Sequence, residues 1–229
     1  MPRRKSNKTG ERSYRGRSMA ELRAERRERL LNAAFNLIGS QGYPKVAIER
    51  VCATARVATR HYYEHFQGRE PLLHAVFERI EGEMSEVVIK SLAMPAEDNM
   101  ERTDNALGAL VHYMLSDPKR ARVICLESVG VSAEMERRRR ALIRKFSEFI
   151  AQTAHDLAEG GVLPQANYRM PAIALVGATN ELMVEWLSGD TGLTTDQMER
   201  QVIAIFRTLI RGGAASDKET KKIEARAGK

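Results

Sequence analysis

The chain has 229 residues, of which 43% are hydrophobic, and a formal net charge of +7 at pH 7. This length allows one large helical body or a small domain beside a larger one, and either could bury a core. No apolar run approaches the roughly 18 residues that span a bilayer, and no secretory signal pattern follows Met1, so we expect a soluble cytoplasmic protein with no membrane partner.

Two cysteines, Cys52 and Cys125, stand far apart and outside any C-x-x-C spacing. In a reducing compartment this favours buried free thiols over a disulfide or a zinc site. The sequence therefore predicts no metal, and it calls for no cofactor.

The first 17 residues form a basic arm that holds about six of the seven surplus positive charges. Its cations, opposed only by Glu11, are Arg3, Arg4, Lys5, Lys8, Arg12, Arg15 and Arg17. Glycine, serine and proline in the same stretch predict disorder until the arm meets a polyanion. Such an arm contacts the phosphates or the minor groove of a nucleic acid, or it is a solubilising tail.

Three helices are predicted next. The first begins at Ser18, because Ser18 and Glu21 have the spacing of a capping box, and Gly42 offers its left-handed exit. A second is predicted over Val46 to Thr54 and, three residues later, a third over Ala58 to Phe66.

The remainder also has a helical pattern, and no strand pattern competes with it. Pro71 opens a long helix that links two domains and closes at Met94–Pro95. Five more helices are predicted at residues 99–115, 118–127, 132–159, 168–188 and 195–211. The fold class is all-α with about nine helices. Its parts are a three-helix N-terminal domain (18–67), a C-terminal domain (68–212) and a charged tail (213–229).

The second and third helices meet the physical requirements of a helix-turn-helix. Tyr62 and Phe66 repeat at i, i+4 and should pack, while Thr59, Arg60 and Tyr63 point elsewhere. A short helix with an exposed polar face can enter the major groove of DNA while the preceding helix braces across the backbone. The pattern alone also fits many other helical proteins.

The particular residues make the pattern more specific. They are Gly42, Tyr43, Ile48, Val51, Cys52, Ala55, Val57, the run His61 to Phe66 and the run Arg69 to Leu73. Over about fifty residues this set resembles the TetR family of repressors, and the later helices agree in number and order. The resemblance implies a homodimeric regulator that binds double-stranded operator DNA and is released from it by a small-molecule effector.

The resemblance also implies a role for individual residues in DNA binding. Thr59, Arg60 and His61 would face base edges, and Tyr63 and Arg69 would hold phosphates. The chemistry agrees, because Arg60 can address guanine through two hydrogen bonds and Tyr63 offers a phenolic donor. The full predicted set is Thr59, Arg60, His61, Tyr63, Arg69, Arg56, Arg15 and Arg17.

Three positions depart from the family pattern. Arg56 and Arg60 each stand where glycine is frequent, and Val46–Ala47 replaces the usual threonine cap. A left-handed Arg56 would cost about 1 kcal/mol, so a different turn geometry is expected. These departures put the local helix stability in doubt and add positive charge.

Two other functions are compatible with these sequence motifs. His61 to His65 reads H-x-x-E-H, a motif of zinc hydrolases, but a metal site needs a third ligand and a dry cleft that a short exposed helix does not supply, so no enzyme is expected. A DNA-binding architectural protein without an effector is the second alternative. The roughly 130 helical residues that follow exceed what dimerisation requires.

The last two helices each carry two apolar stripes, and such helices need two partners. One partner is the subunit's own core, and the other is the same helix pair of a second subunit, joined as a four-helix bundle. The predicted dimer residues are Leu175, Ala178, Leu182, Trp186, Met198, Val202, Ile205 and Leu209. A helix pair buried wholly within one subunit is the alternative.

The resemblance places the effector pocket between the linking helix and the central helices. The residues predicted there are His112, Tyr113, Met114, Cys125, Phe146 and Phe149. Aromatic and methionine side chains at helical spacing also suit a plain core. Arg137 to Arg140 would attract an anionic effector or form a solvated helix face.

Overall fold

The computed structural model describes residues 18–227, with side chains through residue 212. Within that range the chain forms nine α-helices and no strand, which confirms the predicted all-α fold. The helices are α1 (Met19–Gln41), α2 (Ile48–Ala55), α3 (Thr59–Tyr62), α4 (Arg69–Leu92), α5 (Asn99–Ser116), α6 (Pro118–Arg122), α7 (Ala133–Glu159), α8 (Arg169–Ser188) and α9 (Thr195–Ala227). The basic arm, with Arg15 and Arg17, lies outside the described residues.

Local capping explains where several helices begin. The N–H of Glu21 donates to Ser18 Oγ at 3.1 Å, while the Glu21 carboxylate accepts the N–H of Ser18 at 2.7 Å, so the predicted capping box is present. Asp117 caps α6, with Pro118 at its first position, and Ser132 caps α7. These side chains satisfy amide groups that have no partner within the helix itself.

Helices α1 to α3 pack against the first half of α4 and form the N-terminal domain. Leu30, Tyr62 and Phe66 are buried at its centre. The second half of α4 runs on into the C-terminal domain, where Met84 and Val88 are buried. Because one helix belongs to both cores, a displacement of α4 in one domain acts on the other.

Two helix ends differ from the sequence prediction. Helix α3 ends at Tyr62 rather than Phe66, because the N–H of His65 donates to the carbonyl of Tyr62 at 2.9 Å and closes a tighter turn. Helix α9 continues to Ala227, through the stretch predicted to be a charged tail.

Helices α8 and α9 turn a different apolar stripe inward from the one predicted. Leu175, Met198 and Val202, which were assigned to the dimer face, are buried in the subunit's own core, so that assignment was wrong for them. Each of the two helices carries two apolar stripes with the same helical spacing, so the spacing does not distinguish them. Tertiary packing decides which stripe faces inward. The other predicted residues, Ala178, Leu182, Trp186, Ile205 and Leu209, are half-buried.

No helix in the described part of the chain combines the length and apolar character needed to cross a membrane.

Candidate functional site

The helix-turn-helix consists of α2, the three-residue turn Arg56–Ala58, and α3. Arg56 adopts a left-handed conformation (φ 52°, ψ 46°), and its N–H donates to the carbonyl of Ala53 at 3.1 Å. The expectation that arginine would impose another turn geometry was therefore wrong. Ala47, at the start of α2, makes no side-chain cap hydrogen bond, as its residue type predicts.

Arg29 of α1 holds this turn in place. Its Nε donates to the carbonyl of Ala55 at 2.8 Å, and its Nη2 donates to the carbonyl of Arg56. Hydrogen bonds from a charged donor are stronger than neutral ones, and these two occupy carbonyls at the end of α2. Sequence reasoning missed Arg29, because it lies 26 residues from Ala55.

The recognition segment, residues 59–66, presents the residues expected to meet DNA. Thr59, Arg60 and Tyr63 are exposed, while Tyr62 between them is buried and its hydroxyl donates to the carbonyl of Gly68 at 2.8 Å. One anchored side chain thus fixes the rotation of α3 and directs its neighbours outward.

A polar chain crosses the exposed face of α3. His61 Nδ1 lies 2.7 Å from Glu64 Oε1, and Arg60 Nε donates to His61 Nε2 at 3.4 Å. The hydrogen bond from His61 lowers the pKa of Glu64. Glu64 therefore fixes the ring orientation of His61, which is predicted to face bases. Sequence reasoning did not assign this role to Glu64.

Arg69, predicted to hold a phosphate, also forms hydrogen bonds within the N-terminal domain. Its Nη1 donates to the carbonyl of Val46 at 3.1 Å and to that of Pro44 at 3.3 Å, and its guanidinium lies 5.1 Å from the ring centroid of Tyr43. These contacts tie the start of α4 to the segment before α2.

The two histidines of the H-x-x-E-H motif have different surroundings. His61 is bonded to Glu64, whereas His65 Nε2 is buried without a hydrogen-bond partner among the described residues. Burial, followed by the positive charge of Arg23, lowers the pKa of His65 and favours its neutral form. Within residues 18–227 no three His, Cys, Asp or Glu side chains are grouped as a metal site requires.

A second connection joins the N-terminal domain to the C-terminal one through the π-helical turn Val123–Glu127, which follows α6. The N–H of Tyr43 donates to Glu127 Oε2 at 2.7 Å, and Arg122 Nε donates to Glu127 Oε1 at 2.9 Å. A Cβ at Gly42 would lie only 3.2 Å from this carboxylate. Glycine therefore allows the close approach of the two domains.

The C-terminal domain contains two adjoining apolar cavities. The larger, of about 90 Å³, is lined by Met84, Leu107, Leu110, Met114, Ile124, Cys125, Leu142, Ile143, Phe146, Ile150, Leu175, Val176, Thr179, Asn180 and Met183. The smaller, of about 40 Å³, is lined by Val88, Leu92, Thr103, Ala106, Leu107, Leu110, Phe146, Phe149, Ile150, Thr153, Leu175 and Phe206. The larger cavity reaches Ile124 and Cys125 of the π-helical turn.

The structure divides the predicted pocket residues. Met114, Cys125 and Phe146 line the larger cavity, and Phe146 and Phe149 line the smaller one. His112 and Tyr113 line neither, so their assignment to the pocket was wrong: His112 is exposed near Glu199, and the Tyr113 hydroxyl donates to Glu83. Both side chains project from faces of α5 that turn away from the cavities.

The four arginines on α7 all form ion pairs. Arg137 and Arg138 pair with Glu134, and Arg139 and Arg140 pair with Glu136. Arg138 also pairs with Glu78 of α4. Pairs three or four residues apart on one helix are typical of a solvated helix face. None of these arginines lines either apolar cavity.

Comparison with known families covers both domains. Residues 30–76 match the family described as bacterial regulatory proteins, tetR family, and residues 96–215 match the tetracyclin repressor-like C-terminal domain. The chain belongs to the TetR family. It is a DNA-binding transcriptional regulator whose helix-turn-helix is formed by α2 and α3.

Individual relatives are similar over most of their length. The HTH-type transcriptional regulator AcrR of Shigella flexneri is 23% identical over 188 residues, which cover 80% of this chain and 87% of AcrR. FadR of Bacillus subtilis, solved with stearoyl-CoA, superposes with a TM-score of 0.69 at 16% identity, covering 81% of this chain and 98% of FadR. AibR, solved with isovaleryl coenzyme A and operator DNA, gives a TM-score of 0.63 at 19% identity, covering 79% and 97%. The TetR fold is thus shared across these proteins.

Proposed function

We propose that this TetR-family protein is a cytoplasmic homodimeric repressor that leaves a palindromic operator when a small molecule fills the C-terminal cavities. The observation that carries the proposal is the pair of apolar cavities between α4, α5, α7 and α8, beside a helix shared with the DNA-binding domain. An architectural DNA-binding protein has no use for such cavities. The family consists of regulators, so we assign no catalytic role.

Two connections carry the effect of the ligand to the DNA-binding domain. Met84 and Val88 of α4 line the cavities, and the same helix begins at Arg69 beside the recognition segment. Ile124 and Cys125 line the larger cavity one turn from Glu127, which binds the Tyr43 amide. A ligand that binds one arrangement of these elements more tightly changes the distance between the DNA-binding domains of the two subunits. This change weakens operator binding.

The second subunit fits the outward face of α8. Met170 is 69% exposed and Ile173 40% exposed on this face, and Ala174 and Gly177 are exposed beside them. Small residues there allow close helix approach, because a Cβ at Gly177 meets no atom within 4 Å. A four-helix bundle of α8 and α9 from two subunits would bury this face and give the two-fold symmetry that a palindrome requires. Gly177→Arg should therefore sediment as a monomer.

The first test is selection of bound sequences from random DNA duplexes at moderate salt. A palindromic motif supports a dimeric, sequence-specific regulator, whereas salt-sensitive binding without a motif supports an architectural protein. Absence of binding would contradict both readings.

Variants then test the assigned contacts. Arg60→Ala should weaken operator binding by about 1–3 kcal/mol and relax the preference at one base pair of each half-site. Arg140→Ala, on the exposed face of α7, is the matched control and should bind the operator as the unaltered protein does. Equal affinity of both variants for the operator would remove Arg60 from the interface.

A further inference from the structure

The two apolar cavities lie side by side and share one wall. Leu107, Leu110, Phe146, Ile150 and Leu175 line both of them. Phe146 is the only aromatic residue of these five.

The dimensions follow from the helices on either side. Lining residues run from Thr103 to Met114 on α5 and from Leu142 to Thr153 on α7. At the α-helical rise, each run spans about 16 Å. A ligand that occupies both cavities must therefore be long and narrow.

No side chain that lines either cavity is Asp, Glu, Lys, Arg or His. The thiol of Cys125 is neutral as well, because burial raises its pKa to about 12. An ionised group in this space would find no opposite charge among the lining side chains, which disfavours it strongly. The part of the ligand that enters is therefore uncharged.

The hydrogen bonds of the polar lining residues locate the polar end of the ligand. The hydroxyl of Thr103 donates to the carbonyl of Asn99 at 2.8 Å, and that of Thr153 donates to Phe149 at 2.9 Å, so the helices themselves satisfy both. Thr179 and Asn180 line the larger cavity, and their side chains have no hydrogen bond to any described residue. Both are half-buried, so a bound molecule can form hydrogen bonds with them.

We propose that the effector of this regulator is an elongated, uncharged aliphatic molecule with a terminal hydroxyl or carbonyl group. Its end group bonds to Thr179 and Asn180 in the larger cavity, and its hydrocarbon body passes Phe146 into the smaller one. The identity of this molecule as an effector depends on the function proposed above, but its binding to the cavities does not.

Calorimetric titration of the full chain with three probes of one chain length tests the chemistry of the end group. We expect 1-decanol to bind saturably, decanoate to bind about tenfold more weakly because its carboxylate is ionised at neutral pH, and decanoyl-coenzyme A to bind more weakly still. Binding of either anionic probe as tightly as the alcohol would overturn the proposal.

Variants place the probe within the cavity. Asn180→Leu should reduce the affinity for 1-decanol about tenfold, because the end group loses a partner. The matched control is Thr103→Val, whose hydroxyl is already satisfied within α5 and whose loss should leave the affinity unchanged. Phe146→Ala should shift the preference from 1-decanol toward longer alcohols. Equal effects of Asn180→Leu and Thr103→Val would overturn the assigned orientation.

Operator binding without any probe separates this proposal from the preceding one. A chain that selects a palindrome but does not bind 1-decanol would refute the ligand class alone. A chain that binds 1-decanol but selects no DNA sequence would refute the proposed function and leave the cavity assignment standing.

Discussion

Replacing Arg56 by glycine should make the protein more stable than replacing it by alanine. Both changes remove the same side chain beyond Cβ, but only glycine relieves the left-handed backbone at φ 52°. Left-handed backbone costs a residue with a Cβ roughly 1–2 kcal/mol. Glycine gives back about 0.4–1 kcal/mol of this through the greater freedom of the unfolded chain. The net advantage of glycine over alanine should be about 0.5–1 kcal/mol.

Paired urea titrations and thermal scans of Arg56→Gly and Arg56→Ala measure this difference. For a chain of this size it corresponds to a Tm higher by about 1–4 °C in the glycine variant.

Arg50 supplies a control of opposite sign, since it is exposed in the first turn of α2 with a helical backbone, where glycine destabilises the helix by up to about 0.5–1 kcal/mol relative to alanine. If Arg56→Gly were no more stable than Arg56→Ala, the left-handed turn would not be strained.

Three further outcomes can be checked. Deleting residues 1–17 should flatten the dependence of operator affinity on salt concentration, because fewer counterions are released; an unchanged slope would exclude the arm from the complex. Glu127→Gln should lower the free energy of unfolding by about 1–2 kcal/mol, because an amide cannot accept both existing hydrogen bonds, and it should reduce the effect of ligand on operator affinity; unchanged denaturant midpoints would contradict this. Hydrogen bonds from Arg139 and Arg140 hold the pKa of Glu136 at about 2, below the ordinary 4.5. The contribution of Glu136 to stability is therefore present above pH 4.5 and is lost as the pH falls toward 2. Acid titration of Glu136→Gln should show a smaller loss of stability across that interval than the unaltered chain shows.

The local features of this protein could be predicted from its sequence. The capping box at Ser18, the Asp117–Pro118 start of α6 and the packing of Tyr62 with Phe66 each depend on residues within a few positions of one another. Backbone geometry alone brings such residues together. The exposure of Thr59 and Arg60 follows from the burial of Tyr62 by the same reasoning.

Packing over long sequence separations decided the rest. The bond between Glu127 and the Tyr43 amide joins residues 84 positions apart, and nothing local to either residue indicates it. Periodicity identified the apolar stripes of α8 and α9, but it did not show that Leu175 and Met198 face inward. Sequence reasoning likewise predicted both Tyr113 and Phe146 as pocket residues, although only Phe146 lines the cavities. Neighbouring residues specify where the helices form and which side of α3 is exposed, because these features depend on local backbone geometry. Which helix faces meet depends on how all the helices fill one volume together, so local patterns did not show it.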